Sequence, residues 1–387
     1  MRFALMARSF KRDGLALFFV SILGAIPMAG AGESKPSWQV DWGKSVEAAK
    51  REGQVVLSTV SGFTEFFREF EKRFPPIKVI EGASGQVAQR TQVLLAERRA
   101  DKFLKDVSFG QQDQTQIRLF VEKGILDPLP PVFVLPEVVD PSKWWKGKHH
   151  YADAKGKYFF ILEGAVRAAD IAYNRQLVEP KEIRSYWDLV QPRWQGKIVV
   201  PDPRDARVRG ISGSGLLLFY YHPNLGPPFI KRLFSEMKVT LSRDYDQMMD
   251  WLAVGKFAVY FFSRGTDDAV RKGLPVGELT PAQFKEGGVL TPIRGVIALL
   301  NRAPHPNAAK VFINWVLSRE GQTAFQKVSV ADNPASGNSM REDISKDIIP
   351  PGYRREPGLV QVEALSGEMI DTRPIIKLVD EILGGKP

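Results

Sequence analysis

The sequence predicts an α/β protein with two lobes, each a mostly parallel sheet flanked by helices. Three observations support this fold class. At 387 residues, the chain exceeds what one ordinary hydrophobic core requires and is long enough for two covered sheets. Strand-like and helix-like segments alternate along most of it. The segment Ser185–Arg204 shows this alternation within 20 residues: a capped helical turn, a tight turn and a buried strand.

That segment ends in a loop with two charged side chains. Gly196 permits the turn into a strand predicted at Lys197–Val200. The prolines on either side of Asp202 prevent further ladder pairing, so Asp202 and Arg204 follow directly after a strand end. Open α/β sheets bind their ligands at such positions, and we therefore expect both side chains to contact a ligand.

The first third of the chain predicts three strands, each followed by a loop and a helix. The predicted strands are 54–59, 78–80 and 106–109; the helices after them are 64–74, 86–100 and one that ends at Lys123, and a further helix, 45–51, precedes the first strand. The loops after these strands hold small or polar residues, namely Ser61, Gly62, Ser84, Gly85, Gln111 and Gln112. Each pair alone is consistent with ordinary turn chemistry. Three pairs on one edge of a parallel sheet predict a ligand-binding rim.

The second half of the chain repeats this order and adds basic residues. Strands predicted at 239–242 and 256–262 are followed by Arg243 and Arg264. Ser212 and Ser214, beside the start of an apolar helix, could form an anion cradle, or they could belong to a flexible capped turn. We expect the arginines to bind an anionic group, the alternative being surface ion pairs with Asp244 or Asp267.

The N-terminal segment has the pattern of a secretory signal peptide. A basic start to Gly14 is followed by the uncharged run Leu15–Ala31, and Ala29-Gly30-Ala31 supplies a small-x-small cleavage site. We expect residues 1–31 to be removed on export, with an uncleaved membrane anchor as the alternative. The apolar run is shorter than a spanning helix needs and contains Gly24 and Pro27.

Composition narrows the function classes. The chain has no cysteine, which excludes disulfides, thiolate nucleophiles and a lipid-modified N-terminal cysteine. Its net charge is +10, or about +7 without residues 1–31, and it lacks a long Lys/Arg run. We expect small anions to be attracted rather than nucleic acid, and a monomer free in the periplasm.

Motifs for catalysis and cofactor binding are missing from the sequence. It contains neither a phosphate loop, nor Gly-x-Gly-x-x-Gly at a helix start, nor His-Glu-x-x-His, nor Gly-x-Ser-x-Gly. The tandem His149-His150 has no carboxylate at metal-ligand spacing and predicts a surface pair. We expect no catalytic residue, metal site or cofactor, while a hydrolase on a two-lobed scaffold stays open because triad residues need not be close along the chain.

Several motifs together resemble one protein family. They are Trp194-Gln195-Gly196-Lys197, Pro201-Asp202-Pro203, Ile171-Ala172-Tyr173-Asn174, and a late helix pair from His305 to Gln322. They resemble the solute-binding proteins of ABC importers, in the branch that includes the ferric-iron-binding proteins. The resemblance implies a type II periplasmic-binding-protein fold that binds a solute between its lobes, closes by a hinge and delivers the solute to an inner-membrane permease.

The resemblance also bears on the ligand and the lobes. Iron-binding members hold ferric ion with a tyrosine pair at a position that here reads Tyr260-Phe261-Phe262-Ser263-Arg264. Phenylalanine cannot ligate iron and Arg264 would repel it, so we expect an organic anion or phosphonate, with iron or an iron chelate as the alternative. The predicted lobes comprise residues 32–135 with 265–327 and residues 136–264 with 328–387.

Overall fold

The structure, a computed structural model, describes residues 36–83, 85–204, 213–292, 294–333, 336–356, 358–365 and 373–384. The predicted signal peptide lies outside these residues. All elements below belong to one compact unit, Ser37–Pro387. Among the described residues, every helix is too short or too polar to cross a membrane.

The strands, numbered in chain order, form three sheets. They are β1 (Gln54–Ser58), β2 (Lys78–Ala83), β3 (Val107–Gly110), β4 (Leu126–Asp127), β5 (Phe160–Ile161), β6 (Ala165–Arg167), β7 (Ile171–Asn174), β8 (Ile198–Pro201), β9 (Thr240–Ser242), β10 (Val259–Tyr260), β11 (Val276–Leu279), β12 (Gly288–Thr291), β13 (Val296–Leu300) and β14 (Val360–Glu363).

The α-helices are numbered in the same way. They are α1 (Ser37–Glu52), α2 (Thr64–Arg73), α3 (Val87–Arg99), α4 (Gln114–Glu122), α5 (Pro136–Val139), α6 (Gly213–Tyr221), α7 (Gly226–Lys231, continued by a π-helical turn Arg232–Glu236), α8 (Tyr245–Ala253), α9 (Thr266–Arg271), α10 (Pro306–Leu317), α11 (Arg319–Asp332) and α12 (Arg373–Leu383). Short 3₁₀ helices are Pro130–Val132, Pro141–Lys143, Trp145–Gly147, Pro180–Glu182, Tyr186–Val190, Pro192–Trp194, Pro281–Gln283 and Pro351–Tyr353.

The first sheet has the order β2-β1-β3-β13-β4, and β5 also pairs with β13. β1 runs parallel to β2 and β3, whereas β13 is antiparallel to β3, β4 and β5. In the described part of the chain, β13 is thus the one strand of this sheet with reversed direction. The carboxyl ends of β1, β2 and β3 therefore lie on one edge, as the predicted rim requires.

The second sheet has the order β11-β7-β10-β8-β9. β8 is parallel to β9 and β10, and β7 is antiparallel to both of its neighbours. Each main sheet thus combines strands of one direction with one reversed strand among the residues described. This confirms the predicted fold class of two mostly parallel sheets.

A third, small sheet of β14, β12 and β6 lies where the chain passes between the main sheets. β5 belongs to the first sheet and β7 to the second, so one crossing lies between them; β12 and β13 bracket the other. The predicted boundaries after residues 135 and 264 place β5 in the second lobe and β11 in the first, whereas β5 pairs in the first sheet and β11 in the second. Sheet membership favours crossings near residues 162–165 and 291–296.

Separate hydrophobic clusters support the two main sheets. In the first, Phe66 stacks on Trp315 at 5.0 Å between ring centroids and also contacts Phe109 and Phe325. In the second, Tyr186 stacks on Phe284 at 3.8 Å. Burying each aromatic side chain contributes about 2 to 3 kcal/mol, which fixes helices on the sheets. This packing leaves the strand-end loops as the polar part of each lobe.

The Ser185–Arg204 segment folds as the sequence predicts. The Ser185 side chain accepts a hydrogen bond from the Trp187 N–H, and Asp188 accepts one from the Ser185 N–H, so the helical turn is capped. Gly196 has φ +74°, which permits the turn into β8. α1 differs from its prediction, because it begins at Ser37 rather than Ser45.

Candidate functional site

A cavity of about 620 Å³ lies beside the third sheet. It is lined by the turns after β6 and β10, by the start of α9 and by the end of β11. Arg294, from the crossing before β13, and Asp332, at the end of α11, also line it. Because both main sheets contribute connecting segments, this cavity lies in the cleft between the lobes.

The cavity contains four arginines and five acidic residues: Arg167, Arg264, Arg271, Arg294, Asp170, Asp267, Asp268, Glu278 and Asp332. Most of this charge is paired. Arg167 lies 2.7 Å from Asp170, Arg271 pairs with Asp268, and Arg294 pairs with Asp332. Within the described residues, Arg264, Asp267 and Glu278 are the charged groups of this cavity left without an ion pair.

Of the predicted site residues that the structure describes, Arg264 alone lines this cavity. It is exposed, and its guanidinium lies 4.8 Å from the centre of the Tyr245 ring. Its guanidinium has neither a hydrogen bond nor an ion pair to any described residue, so the alternative of pairing with Asp267 does not apply there. A guanidinium with unused donors in a cleft can take two oxygens of an anion at once.

Glu278 gives the cavity a group that titrates near neutral pH. Burial raises the pKa of its carboxyl to about 7, and the nearby charges of Asp170 and Asp267 add to the rise, while Arg167 opposes it. A protonated Glu278 is neutral and can donate a hydrogen bond. The cavity is therefore less negative at neutral pH than its residue count suggests.

The Ser61–Gly62 loop after β1 is covered by Arg294. The Arg294 guanidinium donates to the Ser61 carbonyl oxygen at 2.8 Å and lies 5.1 Å from the Phe63 ring. Gly62 has φ +96°, and a Cβ there would come within 2.8 Å of Arg294 Nη2. Gly62 also lines a groove of about 1070 Å³ beside α11. This loop thus joins the cleft through Arg294.

The other two predicted rim loops meet at a buried arginine that the sequence analysis did not identify. Arg90 of α3 donates to the carbonyl oxygens of Gly85 at 3.2 Å and Gln111 at 2.5 Å. The Gln112 side chain donates to the Ser108 hydroxyl at 3.0 Å. Ser84 lies outside the described residues. The loops after β2 and β3 are therefore adjacent, as the rim prediction requires.

Asp202 and Arg204 bind each other instead of pointing freely into the cleft. Arg204 donates from Nε and Nη2 to the two carboxylate oxygens at 2.9 and 3.0 Å, and Asp202 is 5% exposed. Burial acts to raise the pKa of Asp202, but the hydrogen bonds of Arg204 and the charge of Arg243 outweigh it and lower the pKa. This geometry favours a structural role for the pair.

Arg243 is held near the same carboxylate. Its guanidinium lies 3.8 Å from Asp202, at the carboxyl ends of β8 and β9. It does not line the cavity that contains Arg264. Ser212 lies outside the described residues, and Ser214 belongs to the first turn of α6. The anion cradle at residues 212–215 remains a prediction.

The tandem histidines differ from their prediction as a surface pair. His150 is 5% exposed and bonds the Trp145 carbonyl oxygen at 2.8 Å, and His149 packs among Phe133, Trp144 and Phe160. Burial lowers the pKa of both imidazoles. They are packing residues because aromatic side chains from distant segments surround them. Among the described residues, His, Asp and Glu side chains form no group of three or more suited to a metal.

Three important side chains, those of Arg90, Arg294 and Glu163, were not predicted from the sequence. Arg90 lies with Thr91 and Leu94 on the buried face of α3, where hydrophobic periodicity does not predict a charged side chain. Arg294 and Glu163 lie at the two crossings between the sheets, and sequence spacing does not bring them together.

Comparison with known proteins shows where such a fold occurs. Residues 108–349 match the model of a family described as bacterial extracellular solute-binding protein. Iron-bound HitA from Pseudomonas aeruginosa is 16% identical with a TM-score of 0.53, over 85% of this chain and 99% of that protein. Trichodesmium IdiA (FutA), in complex with iron and citrate, is 18% identical with a TM-score of 0.52, over 85% and 99%. At these identities the likeness concerns the fold.

Two further proteins are similar to this chain. An ABC transporter protein from Clostridium perfringens has a TM-score of 0.56 at 15% identity, over 85% of this chain and 98% of that one. A Haemophilus influenzae protein, described as uncharacterized, is 25% identical over 236 residues, or 56% of this chain; the match spans 59% of that relative's length. The resemblance carried by the sequence motifs is confirmed: the chain belongs to the bacterial extracellular solute-binding protein family.

Proposed function

We propose that this protein is the periplasmic solute-binding component of an ABC importer, that it binds a small solute with an anionic group in the cleft, and that it delivers this solute to an inner-membrane permease. The observation that carries the proposal is Arg264, an exposed guanidinium without an ion pair among the described residues, in a cavity of about 620 Å³. That volume suits a small molecule.

The charges around Arg264 support an anionic group of limited size. Three of the cavity's arginines are already paired with carboxylates, so one cation is available to the solute. Glu278, when protonated, would donate a hydrogen bond to the same solute. A carboxylate or phosphonate with a few further polar atoms fits these charged groups, whereas a multiply charged anion would be repelled by the Asp267 carboxylate.

An iron chelate is the second candidate. The fold is similar to that of HitA, solved with iron, and of IdiA, solved with iron and citrate. A chelating anion could meet Arg264 through its own oxygens, which would avoid direct contact between the metal and the guanidinium. Citrate with and without ferric ion separates this candidate from a plain organic anion.

The test is a thermal-shift and calorimetry screen of the protein without residues 1–31. The probes are acetate, methylphosphonate, inorganic phosphate, citrate, ferric citrate, putrescine and glucose. A probe at 100 times its Kd should stabilise the protein by about 2.7 kcal/mol. We expect Arg264→Ala to lower the affinity for the anion by at least about tenfold, which corresponds to about 1.4 kcal/mol of binding free energy.

Arg118→Ala is the matched control, since Arg118 is exposed on α4 and lies outside the cavity. It should bind as the parent does. Equal affinity of Arg264→Ala and parent, or binding of putrescine alone, would contradict the proposal. Recovery of the bound probe unchanged after long incubation supports binding without catalysis, whereas turnover at catalytic protein concentration would favour the hydrolase alternative.

A further inference from the structure

Arg90 is a buried arginine beneath the loops of the first sheet. It is 1% exposed, and its guanidinium donates to three carbonyl oxygens: Gly85 at 3.2 Å, Gln111 at 2.5 Å and Ser58 at 3.5 Å. Ser58 ends β1, Gly85 follows β2 and Gln111 follows β3. One side chain thus holds the carboxyl ends of three adjacent parallel strands.

The charge of Arg90 is unusual among the buried arginines of the described chain. Arg341, fully buried, bonds the carboxylates of Asp343 and Glu137, and Arg355 bonds that of Glu342. Arg90 has no carboxylate within ion-pair distance among the described residues; Asp113 acts on it only from farther away. Burial lowers the pKa of Arg90 to about 10, so it remains charged at neutral pH.

A side-chain amide has two N–H donors and could not hold all three carbonyl groups, but burying the guanidinium charge without a carboxylate partner is still costly. The positive charge therefore calls for another account. In a trans peptide, the carbonyl and the following N–H point in opposite directions. Because the carbonyls of Gly85 and Gln111 turn toward Arg90, the N–H groups of Gln86 and Gln112 turn away from it, and neither bonds another described residue.

We propose that Arg90 is a positioning residue for solute binding: it fixes the three strand-end loops of the first lobe, and its buried charge makes these loops favourable for the anionic part of the solute. This inference rests on the proposed function and deepens it. The second lobe contributes Arg264, and the first contributes outward amides above a buried cation. An anion held at these loops would lie near the buried charge of Arg90 and would be attracted to it.

The experiment compares Arg90→Met, Arg90→Lys and the parent, by calorimetry with acetate, methylphosphonate and inorganic phosphate. Methionine keeps the volume but removes the charge and the donors, and we expect at least a tenfold loss of affinity for the anion that the parent binds. Lysine keeps the charge but cannot reach three carbonyls together. It should bind more weakly than the parent and more tightly than Arg90→Met.

Arg341→Met is the matched control, since it removes another fully buried arginine far from these loops in the chain. It should lower the melting temperature and leave the Kd unchanged, which separates positioning from general stability. Parent-like affinity in Arg90→Met overturns the inference, as does an equal loss in Arg341→Met. If Arg90→Met does not fold, parent-like affinity in Arg90→Lys overturns it and a loss of threefold or more supports it.

The two proposals fail in different ways. If Arg264→Ala loses affinity while Arg90→Met keeps it, the proposed function stands and the role of Arg90 is wrong. If the parent binds none of the anions in either test, citrate and ferric citrate included, both the anionic solute and the role of Arg90 are wrong.

Discussion

The Glu163 carboxylate accepts a hydrogen bond from the backbone N–H of Arg294 at 2.7 Å, and this contact joins the two crossings between the sheets. Glu163 is fully buried just after β5, and Arg294 precedes β13. The same carboxylate accepts bonds from the N–H groups of Gly295 and Gly337, both at 3.1 Å. Three chain segments therefore meet at one side chain at the hinge.

Glu163→Gln should destabilise the protein strongly. An amide nitrogen would replace one carboxylate oxygen and face an N–H donor, leaving buried groups unpaired. We expect the free energy of unfolding to fall by roughly 3 kcal/mol in urea denaturation. Glu182→Gln, which removes an exposed carboxylate 3.2 Å from Arg193, should change it by less than about 1 kcal/mol. Similar values for the two variants would contradict a special role of Glu163.

Glu278 should make stability and binding depend on pH. Its pKa is raised from the usual 4.5 to about 7, first by burial and then by Asp170 and Asp267. Between these values the folded state holds more protons than the unfolded state, so stability falls as pH rises from 4.5 through 7. Glu278→Gln removes this titration and should be more stable than the parent at pH 8 by roughly 2 kcal/mol.

The groups that face Glu278 are Asp170, Asp267, Arg167 and the hydroxyl of Tyr353. Since deprotonation adds a negative charge to the cavity, an anion should bind more tightly at pH 6 than at pH 8. Glu278→Gln should remove that difference. Calorimetry and urea denaturation at both pH values check the two effects, and identical pH profiles for variant and parent would contradict them.

Gly321→Ala should disrupt the start of α11. An added Cβ would lie 1.9 Å from the Trp315 carbonyl oxygen, an overlap that only backbone movement can relieve. Overpacking of this kind costs about 1 to 3 kcal/mol, and we expect the upper end because the neighbour is backbone. In Gly43→Ala, the added Cβ in α1 has no other atom within 4 Å, and the variant should be more stable than the parent by about 0.5 to 1 kcal/mol. Thermal unfolding of both variants decides.

The export prediction concerns the N-terminus. We expect the protein recovered from the periplasm to begin at Gly32, because Ala29-Gly30-Ala31 follows a short apolar run. N-terminal sequencing of the exported protein checks this. Intact Met1 in the membrane fraction would instead indicate the uncleaved anchor.

The rim loops illustrate how far sequence patterns reach. Alternating apolar strands and helices are local features, so the order β1, β2, β3 and the polar pairs after them were predictable. Their shared edge follows from parallel pairing, which the structure confirms. Arg90, in contrast, lies on the apolar face of α3, where hydrophobic periodicity predicts an aliphatic side chain.

Arg243 and Arg264 show which features of the site follow from the sequence and which follow only from the tertiary structure. Sequence alone determined that Arg243 and Arg264 both follow strands of the second sheet, because strand ends depend on neighbouring residues. Only the tertiary structure decided that Arg243 lies near Asp202 while Arg264 lines the cleft without an ion pair among the described residues. The physical reason is that ion pairing depends on distances of a few ångströms between segments remote along the chain, and those distances are set by the packing of the sheets.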